Sequence, residues 1–465
     1  MSRALEHFNG LPAGGAVALC RGGSFLVESR VSLSNESCRV DRKCVIRDYA
    51  PPWPGRSRPI VTATGEGDLL RFANDGRAEH DEGYILMGLE LRGSGTGRGV
   101  SFHNDVDDVM ICDMRIEGFR IGVHVGGSNQ PAAGSDGRNQ RVTLRASTIV
   151  NNSEQGWLGG CDGCSIEHSY FENNGFAAAK LLHNIYMGPG KGQRVMKNEL
   201  YRSAMVGGIC SGVSLVVHGI VDDMRIENNL VREDPGVAGP GCWGIAVDTG
   251  YHKAEQFRDV VIRGNEIRNL GRVAIGVSSC VNCLIENNVV VNEHLPGVHI
   301  AVPDRPRGRD DAEMRDVVVR NNSLYVGAGS GGTGILVGGD GGGYTVVSNS
   351  IVYSGSAADW NCFAYPSADA AYRVIDHNLC HVTNGGGEWV EGAGSLAQWH
   401  QRSGRDKAST TSDPNYSRTT APYDLSPESI ESPLLDRGHP SQSAESTLDG
   451  VRRGVPDIGA YDSGQ

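Results

Sequence analysis

One phrase of alternating apolar and polar positions recurs along the chain. Two or three apolar residues alternate with polar ones, a polar residue that is often Asn follows, then another apolar residue and a polar turn. Successive copies read "DVMICDMRIEGF", "RVTLRASTIVNN", "CSIEHSYFENNG", "QRVMKNELYRS", "DMRIENNLVRED", "DVVIRGNEIRNL", "NCLIENNVVVNE", "DVVVRNNSLYVG" and "TVVSNSIVYSG". Period-two alternation over so few residues, rich in Val and Ile, predicts short strands with one face buried. With Ile111, Leu144, Ile166, Val195, Ile226, Ile262, Ile285, Val319 and Val346 taken as equivalent, the spacing ranges from 22 to 36 residues. A fixed-length helical repeat does not allow that range, whereas a strand solenoid does, because only the strands must stack while the loops lengthen.

Asn198, Asn229, Asn265, Asn288 and Asn322 each stand three residues after their anchor. Asn tolerates the left-handed backbone of a tight corner, and its amide can bond the Asn one rung away, so the spacing predicts an asparagine ladder. Asn151 and Asn321, each in "NNS", also match the N-glycosylation pattern. At the ends, "ALEHFNGLPAGGAVALCRGGSFLVES" reads as a short helix and a first strand that cap the solenoid. From Trp389 the repeats fade into a helical piece and polar loops. The expected organisation is a cap and first strand over 1–43, a single-stranded right-handed parallel β-helix over 44–388, and a C-terminal cap over 389–465.

The repeats resemble the pectate-lyase-like superfamily of right-handed parallel β-helix proteins from about Cys44 to about Thr383. The later "SPLLDRG" and "TLDGVRRGVPDIGAYD" resemble a terminal segment of secreted bacterial β-helix proteins, with Asp462 where that segment carries Glu. The resemblance implies an architecture; the tail says little about chemistry. The paired-carboxylate motif of polygalacturonase-like members is not recognisable.

Composition narrows the partners. A net charge of −12 argues against nucleic acid as the main partner, since a phosphate backbone needs a basic surface. No apolar run reaches the roughly 18 residues of a membrane span, and "MSRALEHFNG" does not read as a leader. Twelve cysteines include the close pairs Cys38 and Cys44, Cys161 and Cys164, Cys280 and Cys283. Disulfides in an oxidising compartment are the expectation, and with them a secreted or periplasmic protein whose leader is not in this chain.

Candidate chemistry lies on a second, Gly-marked strand between the repeated phrases, as in "GVSFHND", "GVHVGG", "NIYMGPG", "SLVVHG", "GIAVDTG", "AIGVSSC" and "GVHIAVP". Alternation along these strands predicts an outward column of Ser101, His103, His124, Tyr186, His218, Asp248, Ser278 and His299. Lys180, His183 and Lys191 accompany Tyr186, and Tyr251, His252 and Lys253 follow Asp248. A cationic edge can neutralise a uronate carboxylate and so ease removal of the adjacent C5 proton by a Tyr, His or Lys base. Tyr186, His218, Asp248 and Lys180 are the catalytic candidates. The binding candidates are His103, His124, His183, Lys191, Tyr251, His252, Lys253 and His299.

These residues lead to the expectation of a polysaccharide lyase that cleaves a uronate-containing glycan by β-elimination. A glycoside hydrolase using Asp248 and a non-catalytic glycan-binding solenoid are the alternatives. No cofactor or metal is expected, with calcium on Asp105, Asp107 and Asp108 of "NDVDD" as the exception to test. Asp108 and Asp223 read as turn residues entering repeated strands, as Asp259 and Asp316 do.

Overall fold

The computed structural model describes residues 2–52, 57–73, 82–127, 136–251, 253–293, 295–303, 310–356, 358 and 360–461. The chain forms two compact units. The first comprises Met1–Gly208 and Gly212–Val217, the second Ile209–Ser211 and His218–Gln465. Each is a right-handed parallel β-helix of three parallel sheets, in which every coil contributes one strand to each sheet in turn.

In the first unit the first sheet runs from Ala16–Cys20 and Cys44–Tyr49 through Asp107–Cys112 and Thr143–Arg145 to Arg194–Met196. Its register pairs Ile111 with Leu144, Leu144 with Ile166, and Ile166 with Val195, the anchors read from the pattern. In the second unit the same sheet pairs Ile226 with Ile262, then Ile285, Val319 and Val346 in succession. The anchors are fully buried, stacked apolar residues one strand spacing apart, and this repeated burial is what holds the coils together.

The asparagine ladder is present and longer than the pattern foretold. Asn229, Asn265, Asn288, Asn322, Asn349 and Asn378 follow one another, each backbone N–H donating to the next Asn Oδ1 at 3.0–3.2 Å. Each amide Nδ2 from Asn265 to Asn378 also reaches back to an anchor carbonyl, as Asn288 does to Ile262 at 3.0 Å. In the first unit hydroxyls take the same place: Met114 N–H donates to Ser147, Ser147 N–H to Ser169, and Ser169 N–H to Asn198. One expectation is corrected. The left-handed backbone belongs to the residue before each ladder position, such as Lys197, Asn228, Asn287, Asn321 and Ser348 at φ 52–58°. Bending the chain and bonding the rungs are thus done by neighbours, which is why the repeat so often reads "NN". Asp108, Asp223, Asp259 and Asp316 all have φ of 52–55°, as turn residues should.

The ends are closed. The helix Ser2–Glu6 and the following turn bury Phe8 against Phe72 and Tyr84 at ring distances of 5.9 and 5.1 Å. In the second unit the helix Leu396–Ser403 brings Trp399 to a buried Asp406, whose Oδ2 accepts from the indoles of Trp389 and Trp399. Asp406 Oδ1 accepts from Asn378, so the carboxylate ends the ladder. The tail that resembles the bacterial terminal segment lays Leu434, Ile458 and Ala460 on Val289, Val291, Val352 and Leu379. The buried guanidinium of Arg453 donates to the carbonyls of Gly459 and Tyr461. Asn321 is fully buried and donates to the carbonyls of Asp457 and Gly459, so its amide is closed to a glycan.

Five disulfides form, among them the three pairs expected from spacing, together with Cys210–Cys242 and Cys362–Cys380. They fit an oxidising compartment. No described helix is long and apolar enough to cross a membrane.

Candidate functional site

The third sheet carries the Gly-marked strands. In the first unit its register aligns Arg71, Ser101, His124, Leu158, Tyr186 and Val216 on adjacent strands. Val100, Phe102, Val123 and Val125 on the intervening positions are buried inward, so this column faces out. The expected alignment of Ser101, His124 and Tyr186 is therefore real, and His103 lies two residues along from Ser101. His183 is buried beside Tyr186, with its ring 6.0 Å away and Nδ1 2.9 Å from the Val213 carbonyl. Lys180 and Lys191 are exposed, and the Lys191 backbone N–H is held by Asp162. Burial lowers the His124 pKa to about 3 and lowers that of His103 as well, with nearby arginines adding to both shifts.

In the second unit the equivalent column is different. Ala246, Gly276, Ala301, Leu336 and Ala364 succeed one another, all apolar and all small but Leu336. His299, expected to face out, is 1% exposed and points into the core. The reason is local. Two successive residues face inward at the start of these strands, and His299 occupies the position held by Gly244, Ala274 and Gly334 on its neighbours. A Cβ on Gly244 or Gly334 would meet Ile267 or Ile351 side chains inside the coil. Neither His299 ring nitrogen has a well-formed hydrogen bond among the described residues, and burial, opposed by the nearby Ser330 backbone, lowers its pKa to about 4. Ser278 and Asp248 are also buried; the Ser278 hydroxyl donates to Asp248 and accepts the Thr249 N–H at 3.1 Å.

His218 is where the second unit assembles acid–base groups. The short strand Ile220–Asp222 pairs with Gln256–Arg258, Ile220 opposite Gln256, and this sets the preceding residues His218 and Gly219 beside Glu255. Glu255 Oε1 accepts from the Gly219 N–H at 2.8 Å and lies 3.1 Å from His218 Nδ1. Its Oε2 accepts from the N–H groups of Gly250 and Tyr251 at 2.6 and 2.9 Å. Its own backbone N–H donates to Asp311 at 2.8 Å. The Glu255 side chain is 1% exposed and that of His218 15%, so the carboxylate is a fixed interior partner and the imidazole reaches the surface.

A carboxylate only accepts, so Nδ1 is the donor to Glu255, and the contact fixes the ring as an oriented proton-transfer group. Tyr251, 48% exposed, sets its ring edgewise 4.9 Å from the imidazole. Gly250 lies tight against it, since an added Cβ would stand 2.5 Å from His218 Cε1. Lys253 is exposed next to this loop, and His252 lies outside the described residues.

Of the second-unit residues singled out from sequence, the structure brings His218 and Tyr251 together and sets Asp248 on the same loop; it removes His299 to the core. Sequence reasoning missed Glu255. In "DTGYHKAEQF" nothing marks it, because the pairing of Ile220 with Gln256 joins positions 36 residues apart.

The carboxylates of "NDVDD" have a cation of their own in Arg141, which donates to Asp108 at 2.8 Å through Nε and Nη2 and to Asp107 at 3.2 Å. Among the described residues, the one cluster with metal-ligand spacing is Cys210, Glu233 and Cys242, whose two cysteines form a disulfide.

No protein-family model and no curated protein matches the chain. Solved structures do. An α-1,3-glucanase catalytic unit of family GH87 from Streptomyces thermodiastaticus is similar at TM-score 0.54 and 13% identity, over 81% of this chain and 65% of that one. The PL6 family alginate lyase AlyGC is similar at TM-score 0.53 and 13% identity, over 99% of this chain and 57% of that one. The PL6 family polysaccharide lyase Pedsa3628 from Pseudopedobacter saltans is similar at TM-score 0.50 and 12% identity, over 93% and 96%. The match thus spans less than two thirds of the first two. At such identities the likeness speaks to architecture alone, and the architecture it shares with this chain is the right-handed parallel β-helix.

Proposed function

We propose that this protein is a polysaccharide-active enzyme and that His218, oriented by Glu255, is the proton-transfer group of a β-elimination on a uronate-containing glycan. The observation that carries the reading is the saturated Glu255 carboxylate. Three backbone N–H groups and the imidazole occupy its lone pairs, which leaves it to orient His218 rather than to react. In the proposed step Nε2 takes the C5 proton. The C5–H electrons form the C4–C5 double bond, the C4–O bond breaks, and the leaving oxygen takes a proton from the Tyr251 phenol or from water. In this reading the exposed Lys253 offsets charge growing on the uronate carboxylate, and the exposed Tyr251 ring offers a face to a sugar. That the structures of similar fold include lyases of PL6 and a glucanase supports a glycan as substrate.

Hydrolysis by Asp248 is the less favoured reading, because its carboxylate is buried and taken by Ser278. Digestion of a panel of uronate and neutral glycans separates the two. An unsaturated, ultraviolet-absorbing product supports elimination; saturated reducing ends alone support hydrolysis; binding without any product contradicts both.

A further inference from the structure

We propose that Arg71, Ser101 and His124 form an oxyanion subsite on the outer face of the third sheet in the first unit, one that takes the carboxylate or sulfate of an acidic sugar. This rests on the reading of the protein as polysaccharide-active, but on none of the residues near His218. Arg71, Ser101 and His124 are register neighbours on three successive strands, so the short serine lies between two longer side chains. Ser101 is 1% exposed, and among the described residues neither its hydroxyl nor His124 Nδ1 has a hydrogen-bond partner. A buried hydroxyl and ring nitrogen left unsatisfied cost free energy that a bound oxygen would recover.

The charge around these residues is of the right sign. Arg71 and His103 come from the strands Leu70–Ala73 and Arg98–His103, Arg98 opens the latter, and Arg120 precedes Ile121–Gly126. Of the carboxylates facing this group, Asp68 pairs with Arg98 at 3.5 Å and Glu154 with Arg120 at 3.7 Å. Among the described residues, two ion-paired carboxylates thus answer three guanidiniums. His103 and His124 are both pushed toward the neutral form, first by burial and then by the arginines, as expected of a site that holds positive charge without its anion. A bound anion reverses that pressure, so binding should take up a proton and tighten as the pH falls. On the same column, two strands beyond His124, Tyr186 offers a ring to the next part of a polymer.

Isothermal titration tests the subsite with four probes: a uronate trisaccharide, a sulfated neutral trisaccharide, its unsulfated parent and inorganic sulfate. The expected result is that one or both acidic trisaccharides bind with proton uptake, more tightly at pH 5.5 than at pH 7.5, while the unsulfated parent does not. Which of the two binds names the anion. Ser101→Ala and Arg71→Gln should each weaken that binding about tenfold, with Arg71→Lys restoring part of it. His218→Ala should bind as the wild type does even where turnover is lost, so the subsite and the elimination chemistry can fail separately. Equal binding of the acidic probe by wild type, Ser101→Ala and Arg71→Gln overturns the proposal. So does equal binding of the unsulfated parent, or binding of inorganic sulfate alone, an adventitious ion only.

Discussion

The third sheet shows two different outer faces in the two units. In the first, Arg71, Ser101, His124 and Tyr186 stand along one column; in the second, the column reads Ala246, Gly276, Ala301, Leu336 and Ala364. The inner faces are alike, with Val, Ile and Phe stacked rung on rung. The difference teaches that the solenoid constrains what points inward and leaves the outside free to vary. The second unit keeps its acid–base groups off the sheet face. His218 and Glu255 meet where two short extra strands, Ile220–Asp222 and Gln256–Arg258, pair beside the coil.

The largest effect is expected at Glu255. Replacing it by Ala removes the acceptor for His218 and for three backbone N–H groups, and turnover should fall at least about a hundredfold. Glu255→Gln keeps the shape but donates through one atom where N–H groups now donate, and should fall in between. Gly250→Ala acts on the same ring by collision, since its Cβ would stand 2.5 Å from His218 Cε1. It should lower turnover about tenfold or more while melting near the wild type, by circular dichroism. If polar residues of the first unit's column carried the chemistry instead, these two substitutions would leave the rate untouched.

Next in size is the core of the second unit. His299 is held neutral, with its pKa lowered by burial to about 4, while an unfolded histidine titrates near 6.5. Stability from this group is therefore complete above pH 6.5 and is lost as the pH falls toward 4, by up to about 3 kcal/mol. Urea titrations at pH 7.5 and 4.5 should show that loss in the wild type and much less of it in His299→Leu. An equal acid limb in both proteins would show that His299 is not the buried neutral group described.

The smallest expected effect is at the ladder. Asn288→Ala removes the acceptor of the Asn265 N–H and the donor to the Ile262 carbonyl, and should cost about 2 kcal/mol in the same assay. A matching Ser169→Ala in the first unit removes a single hydroxyl from the ladder and should cost less, about 1 kcal/mol.

The fold was legible because its signal repeats. The anchors Ile111, Leu144, Ile166 and Val195 fall into one register, as do Ile226, Ile262, Ile285, Val319 and Val346, since each must fill the same interior site. The candidate site was legible only in part. Alternation found Ser101, His124 and Tyr186 on a regular strand face, but it misplaced His299, where two adjacent residues turn inward. It could not find Glu255 at all, because that residue sits in a polar loop and gains its role from pairing with a distant segment. Arg71 also went unmarked. The strand Leu70–Ala73 lacks the Gly-marked pattern of the later rungs, although Arg71 aligns with Ser101.

The most direct test of the central claim is the turnover of the best-degraded glycan by His218→Ala beside the wild type, with both proteins shown to be folded. Turnover should fall at least about a hundredfold and the unsaturated product should disappear. Wild-type rates from His218→Ala would contradict the claim.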